Sequence, residues 1–257
     1  MLTAEKTHRD GRIRLLGIDF SAVNMDALLD AVMIHTGSKE PASLVFLNVD
    51  VVLKSEKDAL LRAMIDTAEY VLADGMPLIW ISKLFRRPLP ERIAGSDFVP
   101  RLCKRAEAEG RSVFIAGGSE ASLRNACARL RESYPALRVD GYSPPVGFEK
   151  EPEQVEALCQ AIYEAAPDIL VVCLGCPKQE KFIYENRSRY CVPVSVCAGA
   201  TVDFLSGAVK RCPTWMSQSG LEWFYRFLQE PKRLFRRYFI DDVQILRLVL
   251  KYWKEAP

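Results

Sequence analysis

The chain lacks any apolar run near the roughly 20 residues a membrane-spanning helix needs. Its opening stretch, MLTAEKTHRDGRIRLL, has no apolar core of the kind found in a secretory signal. The expectation is a cytoplasmic protein whose thiols stay reduced. Histidine is scarce: His8 and His35 are the only two, and each is isolated. Of the cysteines at 103, 127, 159, 173, 176, 191, 197 and 212, only Cys173 and Cys176 have metal-like spacing. No second CxxC or CxxH pair completes a tetrahedral site, so no metal is expected. A redox role fares little better, because Cys173 falls inside an apolar strand run. The formal net charge is only +2, and no nucleic-acid motif is present, which argues against nucleic acid as a partner. No GxGxxG follows the first strand, which leads instead into DFSAVNMD. An NAD-dependent oxidoreductase would need that fingerprint. Internal repeats and low-complexity segments are also missing.

What is present is alternation. Apolar runs rich in Val, Ile and Leu (RIRLLGIDF, SLVFLNVD, YVLADG, SVFIAGG, LRVDGYS, ILVVCLG and VPVSVCAG) are separated by amphipathic sequence such as SEASLRNACARLRESY. Near-continuous apolar strands between helices predict an α/β fold: a Rossmann-like parallel sheet with helices on both faces. From about Pro213 onward no strand is read. GLEWFYRFLQEPKRLFRRYFIDDVQILRLVLKYWKE reads as helical, with a break before Pro231. The predicted organisation is a Rossmann-like domain over residues 1–212 and a basic, aromatic helical appendage over 213–257. Basic-aromatic helices of this kind bind anionic membrane surfaces or phosphates, although a helix docked with its basic face in water has the same pattern.

In an open parallel sheet, ligands bind beyond the carboxyl ends of the strands. Those ends carry Asn48 and Asp50, Asp74-Gly75, Gly117-Gly118-Ser119, Gly175 to Glu180, and Gly199 to Thr201 with Asp203 close behind. Pro177 suits the first position of a helix. Lys178, Gln179 and Glu180 would then fill its first turn, where free N–H groups favour an anion. A plain strand–helix turn explains the same stretch. Gly117-Gly118 lets a backbone approach a diphosphate, or makes an ordinary tight turn. Asp74 suits a general base, and Asp-Gly is also a common turn dipeptide. Arg86, Arg87 and Arg92 sit in a proline-stiffened loop and can reach a phosphate or remain in water.

Taken together, these stretches resemble the WecG/TagA/CpsF glycosyltransferases. The landmarks read FLNVD (46–50), ADGMP (73–77), ERIAGSDFVP (91–100), FIAGG (114–118), GCPKQEKF (175–182), AGATVDFLSGAVKRCPTW (198–215) and GLEWFYRFLQEPKRLFRR (220–237). The resemblance implies transfer of a sugar from a UDP-sugar to a polyprenyl-diphosphate-linked sugar, with inversion, in the building of cell-surface polymers and exopolysaccharides. It implies that Asp74 is the catalytic base and that Asn48, Arg92 and Gln179 lie in the substrate pocket. Asp97, Gly117, Gly118, Glu180 and Asp203, within the other landmarks, join the substrate-binding set. Arg226, Arg233 and Arg236 of the appendage are implied to contact the diphosphate. Phe46 stands where the family often has threonine, and Met76-Pro77 follow Gly75 where it often has glycine two places after the aspartate. These departures point toward members of exopolysaccharide pathways that move a neutral hexose. No cofactor and no metal are expected, since no DxD follows a strand. The partners expected are the donor, the lipid-linked acceptor and the inner face of the plasma membrane, with self-association when no membrane is present. Removal of everything after about Ser219 is expected to leave a soluble, folded, nearly inactive domain. A reading from another class, a peripheral membrane module that binds a nucleotide-sugar or lipid diphosphate without catalysis, would show no acceptor-dependent UDP release.

Overall fold

A computed structural model gives the fold for residues 11–38, 40–209, 212, 216, 222–229 and 231–253. The side chains of Glu222, Arg226 and Arg233 lie outside that description. The chain folds around six parallel strands: β3 (Ala42–Leu47), β4 (Tyr70–Ala73), β5 (Ser112–Gly117), β6 (Arg138–Tyr142), β7 (Ile169–Cys173) and β8 (Val194–Cys197). Their order across the sheet is β4-β3-β8-β7-β5-β6. Every residue of β3, β7 and β8 is buried, because helices cover both faces and neither side of these strands meets water. Alternate side chains feed two separate cores. Val45, Leu47, Leu170 and Val172 point into one layer. Leu44, Phe46, Ile169 and Val171 point into the other.

The first core is closed by α2 (Val49–Ser55), α3 (Ala59–Asp66), α4 (Met76–Leu84), α7 (Pro152–Ala165) and α8 (Lys178–Tyr190). The second is closed by α1 (Met25–Thr36), α5 (Gly95–Ala108), α6 (Glu120–Ser133) and α9 (Thr201–Ser206). This is the α/β fold expected from the alternation: a parallel sheet flanked by helices, with a helical extension at the C-terminus.

RIRLLGIDF, expected as one strand, is two. β1 (Arg12–Leu15) and β2 (Ile18–Ser21) pair antiparallel as a small sheet of their own. Leu16 and Gly17 between them both have positive φ, 49° and 75°, as a two-residue hairpin turn of the primed type requires. The hairpin is tied to edge strand β4 through Val71 N–H, which donates to Ser21 Oγ at 3.1 Å. Arg12 also donates to the carbonyls of Ala68 and Glu69. An exposed strand edge is thereby partly covered.

The C-terminal segment is helical as expected. α10 (Glu222–Gln229) and α11 (Pro231–Arg236) are followed by a π-helical turn (Arg237–Asp241), a 3-10 turn (Asp242–Gln244) and α12 (Ile245–Trp253). α12 is packed into the first core. Ile245, Leu248 and Val249 are at most 9% exposed and join the cluster containing Leu15, Leu16 and Phe85. Trp253 meets Phe85 edge-on at 5.6 Å. Tyr252 Oη and Lys251 Nζ both donate to the Glu56 carboxylate, at 3.0 and 2.8 Å.

Candidate active site

The strand order decides which turns become neighbours. The chain runs outward from β3 to β4, then crosses to β5 and β6 on the far side. β7 and β8 return to fill the gap, so the carboxyl ends of β3, β8, β7 and β5 lie side by side. At that edge sit Asn48, Gly199, Gly175 and Gly118, the groups an open parallel sheet presents to a ligand.

Asp74 follows β4 directly. Its N–H donates to Leu47 O at 2.8 Å, which carries the β3–β4 pairing one residue further. A Cβ built on Gly75 would lie 4.0 Å from Asn48 Cβ, so Asn48 and the Asp74-Gly75 turn are adjacent. Asn48 caps α2, with Oδ1 accepting from Val51 N–H at 3.1 Å. That bond fixes the amide orientation and leaves the nitrogen as the group it can offer. Arg92 spans two carboxylates: Nη2 donates to Asp97 Oδ2 at 2.7 Å, and Nη1 lies 3.9 Å from Asp74 Oδ1. Ile93 N–H donates to Ala73 O, which holds the Arg92 backbone beside the end of β4. The structure thus brings Asp74, Asn48, Arg92 and Asp97 together. Phe46 is 7% exposed and packs against Gly95 and the ring of Phe98. An aromatic ring fills the place behind Asn48 where a threonine would offer a hydroxyl.

The GCPKQE stretch differs in two ways from the sequence expectation. Pro177 does not occupy the first helical position: it precedes α8, across a cis Cys176–Pro177 bond. The polar residues after it do not simply face the crevice. Lys178 pairs with Glu149 at 2.6 Å. Gln179 and Glu180 are buried, 5% and 3% exposed. Gln179 Oε1 accepts from Gly199 N–H at 2.9 Å, and its Nε2 donates to Glu180 Oε1 at 2.9 Å. Gln179 is therefore a strut between the turns after β7 and β8. Burial pushes the Glu180 carboxyl above its ordinary range. Burial likewise raises the thiol of Cys176, and takes Cys173 to about 12, so neither is a ready thiolate.

Gly117 and Gly118 also have a structural reason for lacking a side chain. A Cβ on Gly117 would lie 2.6 Å from Cys173 O, and one on Gly118 would lie 2.6 Å from Val202 Cγ1. Neighbouring protein claims the space a side chain would use, so close packing by itself accounts for both glycines. Ser119 caps α6, accepting from Ser122 N–H at 3.0 Å. Asp203 sits half-buried in the first turn of α9.

The sequence did not single out the contact between FLNVD and the appendage. Asp50 accepts from Lys54 at 2.8 Å and lies 3.7 Å from Arg237, which is 3.9 Å from Asp242. Burial pushes the Asp242 carboxyl up to about 6. This network seats the appendage on α2, immediately after Asn48. Asp50 stood in a recognisable strand-end motif, but its partner is remote in the chain and no local pattern marks it. Of the appendage arginines, Arg236 is 81% exposed and lies 4.0 Å from Asp241. The side chains of Arg226 and Arg233 lie outside the described residues.

A sequence model described as the glycosyl transferase WecG/TagA/CpsF family matches residues 13–257. The chain belongs to this family. One glycosyltransferase it resembles is an N-acetylglucosaminyldiphosphoundecaprenol N-acetyl-beta-D-mannosaminyltransferase of Bacillus spizizenii, 32% identical over 192 residues. The alignment covers 75% of the present chain and 73% of that relative. For a glycosyltransferase, a carboxylate at a strand end, clamped by an arginine and flanked by a capped helix, is an arrangement suited to taking a proton from an attacking hydroxyl.

Proposed function

We propose that this glycosyltransferase moves a hexose or N-acetylhexosamine-type sugar from a UDP-sugar to a polyprenyl-diphosphate-linked sugar, in cell-surface or exopolysaccharide biosynthesis. The observation that carries the reading is the cluster of Asp74, Arg92, Asp97 and Asn48 at the carboxyl ends of β3 and β4. The relative's name, with its undecaprenol-linked acceptor, supports the acceptor class. Asp74 takes the proton of the acceptor hydroxyl as that oxygen attacks the anomeric carbon. The bond from carbon to the UDP oxygen breaks from the opposite side, the anomeric centre inverts, and UDP leaves with the electron pair. Arg92, Arg226, Arg233 and Arg236, together with N–H groups opening α6 and α8, are the groups assigned to the diphosphate. No metal is assigned to that step.

A lipid acceptor requires work at a bilayer surface. In support, the C-terminal segment exposes Phe224, Leu228, Phe235, Phe239, Leu246 and Leu250 to the outside, beside its basic residues, which suits the headgroup region. Among the described residues no helix is long and apolar enough to cross a membrane. We assign the protein to the inner face of the plasma membrane.

The test is UDP release from a panel of UDP-sugars with EDTA present, with and without a short-chain polyprenyl-diphosphate-sugar in micelles. Acceptor-dependent release with one donor is expected. Measurable UDP binding without release from any donor would favour a binding module, and release only after adding a divalent metal would overturn the leaving-group assignment.

A further inference from the structure

Glu180 is 3% exposed, yet no lysine, arginine or histidine pairs with it among the described residues. Its Oε1 accepts from the Gln179 amide. Its Oε2 is buried and makes no well-formed hydrogen bond among the described residues, the weakly bonding Cys176 thiol lying beside the carboxyl. The charged and titratable groups around it are few. On α2, Lys54 is engaged by Asp50 at 2.8 Å. On α8, Arg187 lies 3.4 Å from Glu69. The thiols of Cys176 and Cys197 flank it from the α8 turn and β8. Beside it is a cavity of about 20 Å³ walled by Val45, Met64 and Ile183, with Ser43, Thr67, Tyr184, Arg187 and Cys197 as its other neighbours, room for one water molecule. A carboxylate here would be a buried charge with no cation paired to it among the described residues, an arrangement proteins avoid by neutralising the group.

We propose that Glu180 is a positioning residue of the active site: an uncharged carboxylic acid that holds the Gln179 amide and, through it, the Gly199 turn. This rests on the transferase reading above, because the benefit of neutrality is specific to it. A negative charge behind the pocket would repel the incoming diphosphate, whereas a carboxylic acid gives Gln179 its acceptor without that charge. Oε1 is then the carbonyl oxygen, and the hydroxyl on Oε2 faces the Cys176 thiol and the cavity. Burial supports the protonated form, since it raises the group's pKa. Ionisation at alkaline pH would place a charge against the Gln179 strut and loosen it.

Three readouts on Glu180→Gln and Glu180→Ala test this. In infrared spectra of protein carrying ¹³C-labelled glutamate, the wild type at neutral pH is expected to show a protonated-carboxyl band that Glu180→Gln lacks. Hydrogen exchange at the Gly199 amide, the donor to Gln179, is expected to quicken in Glu180→Ala and stay slow in Glu180→Gln. In acceptor-dependent UDP release, Glu180→Ala is expected to lose about tenfold or more in kcat/KM, as for a buried polar group left without its partner. Glu180→Gln should keep most of its activity and lose the alkaline decline. Absence of the infrared band, or unchanged Gly199 exchange in Glu180→Ala, would overturn the proposal. The first two readouts need no turnover. If both hold while no donor supports UDP release, the transferase reading fails and the structural assignment of Glu180 stands.

Discussion

Ending the chain at Gln244 removes α12 and should cost most of the protein's stability. Three side chains of that helix, Ile245, Leu248 and Val249, are at most 9% exposed in the folded chain. Burying each contributes about 1.5–3 kcal/mol, roughly 5–9 kcal/mol together. That range is an upper bound, because the unfolded chain already hides part of this surface. The Lys251 and Tyr252 contacts to Glu56 lie at the surface, where solvent screens them, and add little. A domain has only about 5–15 kcal/mol to lose. The sequence alone suggested that everything after about Ser219 could be removed to leave a folded domain; the packing of α12 reverses that expectation. Urea denaturation followed by tryptophan fluorescence measures it. The truncated chain should show a much lower midpoint or no cooperative transition. Leu248→Ala in the full chain should cost about 2–5 kcal/mol by leaving a cavity. A truncated protein with an unshifted midpoint would refute the assignment of α12 to the core.

Asp74→Asn should lower turnover by about 10²–10⁴-fold, the usual worth of general base catalysis, while calorimetry finds UDP affinity unchanged. Gly117→Ala should cost about 2–5 kcal/mol, because φ is 114° and the new methyl group meets the Cys173 carbonyl. Gly175→Ala, with φ 76° but open space around it, should cost only about 1–2 kcal/mol; thermal unfolding of the two variants separates them. Asp242 has a carboxyl raised to about 6 from 3.8. Its contribution to stability is fully present below about pH 4, falls as pH rises to about 6, and is flat beyond. Asp242→Asn should therefore match the wild type near pH 4 and exceed it by on the order of 2 kcal/mol at pH 7.5, measured by urea titration at each pH.

The candidate site was legible in the sequence to the extent that it follows strand ends. Asp74, Asn48 and the glycine turns each close an apolar run, and the parallel-sheet reading already directed attention to those positions. What each residue does there was less legible. Gln179 and Glu180 read as a polar first turn at a crevice mouth, yet both are buried, because Gln179 braces Gly199 across the sheet. Gly117 and Gly118 read as room for a phosphate or as an ordinary tight turn, and it is the close approach of Cys173 and Val202 that occupies the space beside them. The hairpin at Leu16-Gly17 was hidden because alternation looks the same in one strand as in two, and leucine rarely adopts positive φ.

By itself the sequence determined the class of fold, the helical C-terminal segment and the order of motifs that marks the family. These depend on local periodicity and composition, which every short window carries. Only the tertiary structure decided that β7 and β8 slot between β3 and β5, that Asp50 faces Arg237, that α12 completes the first core, and that Glu180 is enclosed with no cation paired to it among the described residues. Each of these depends on groups brought together from distant parts of the chain. Their energies come from burial and pairing, which exist only once the layers have closed.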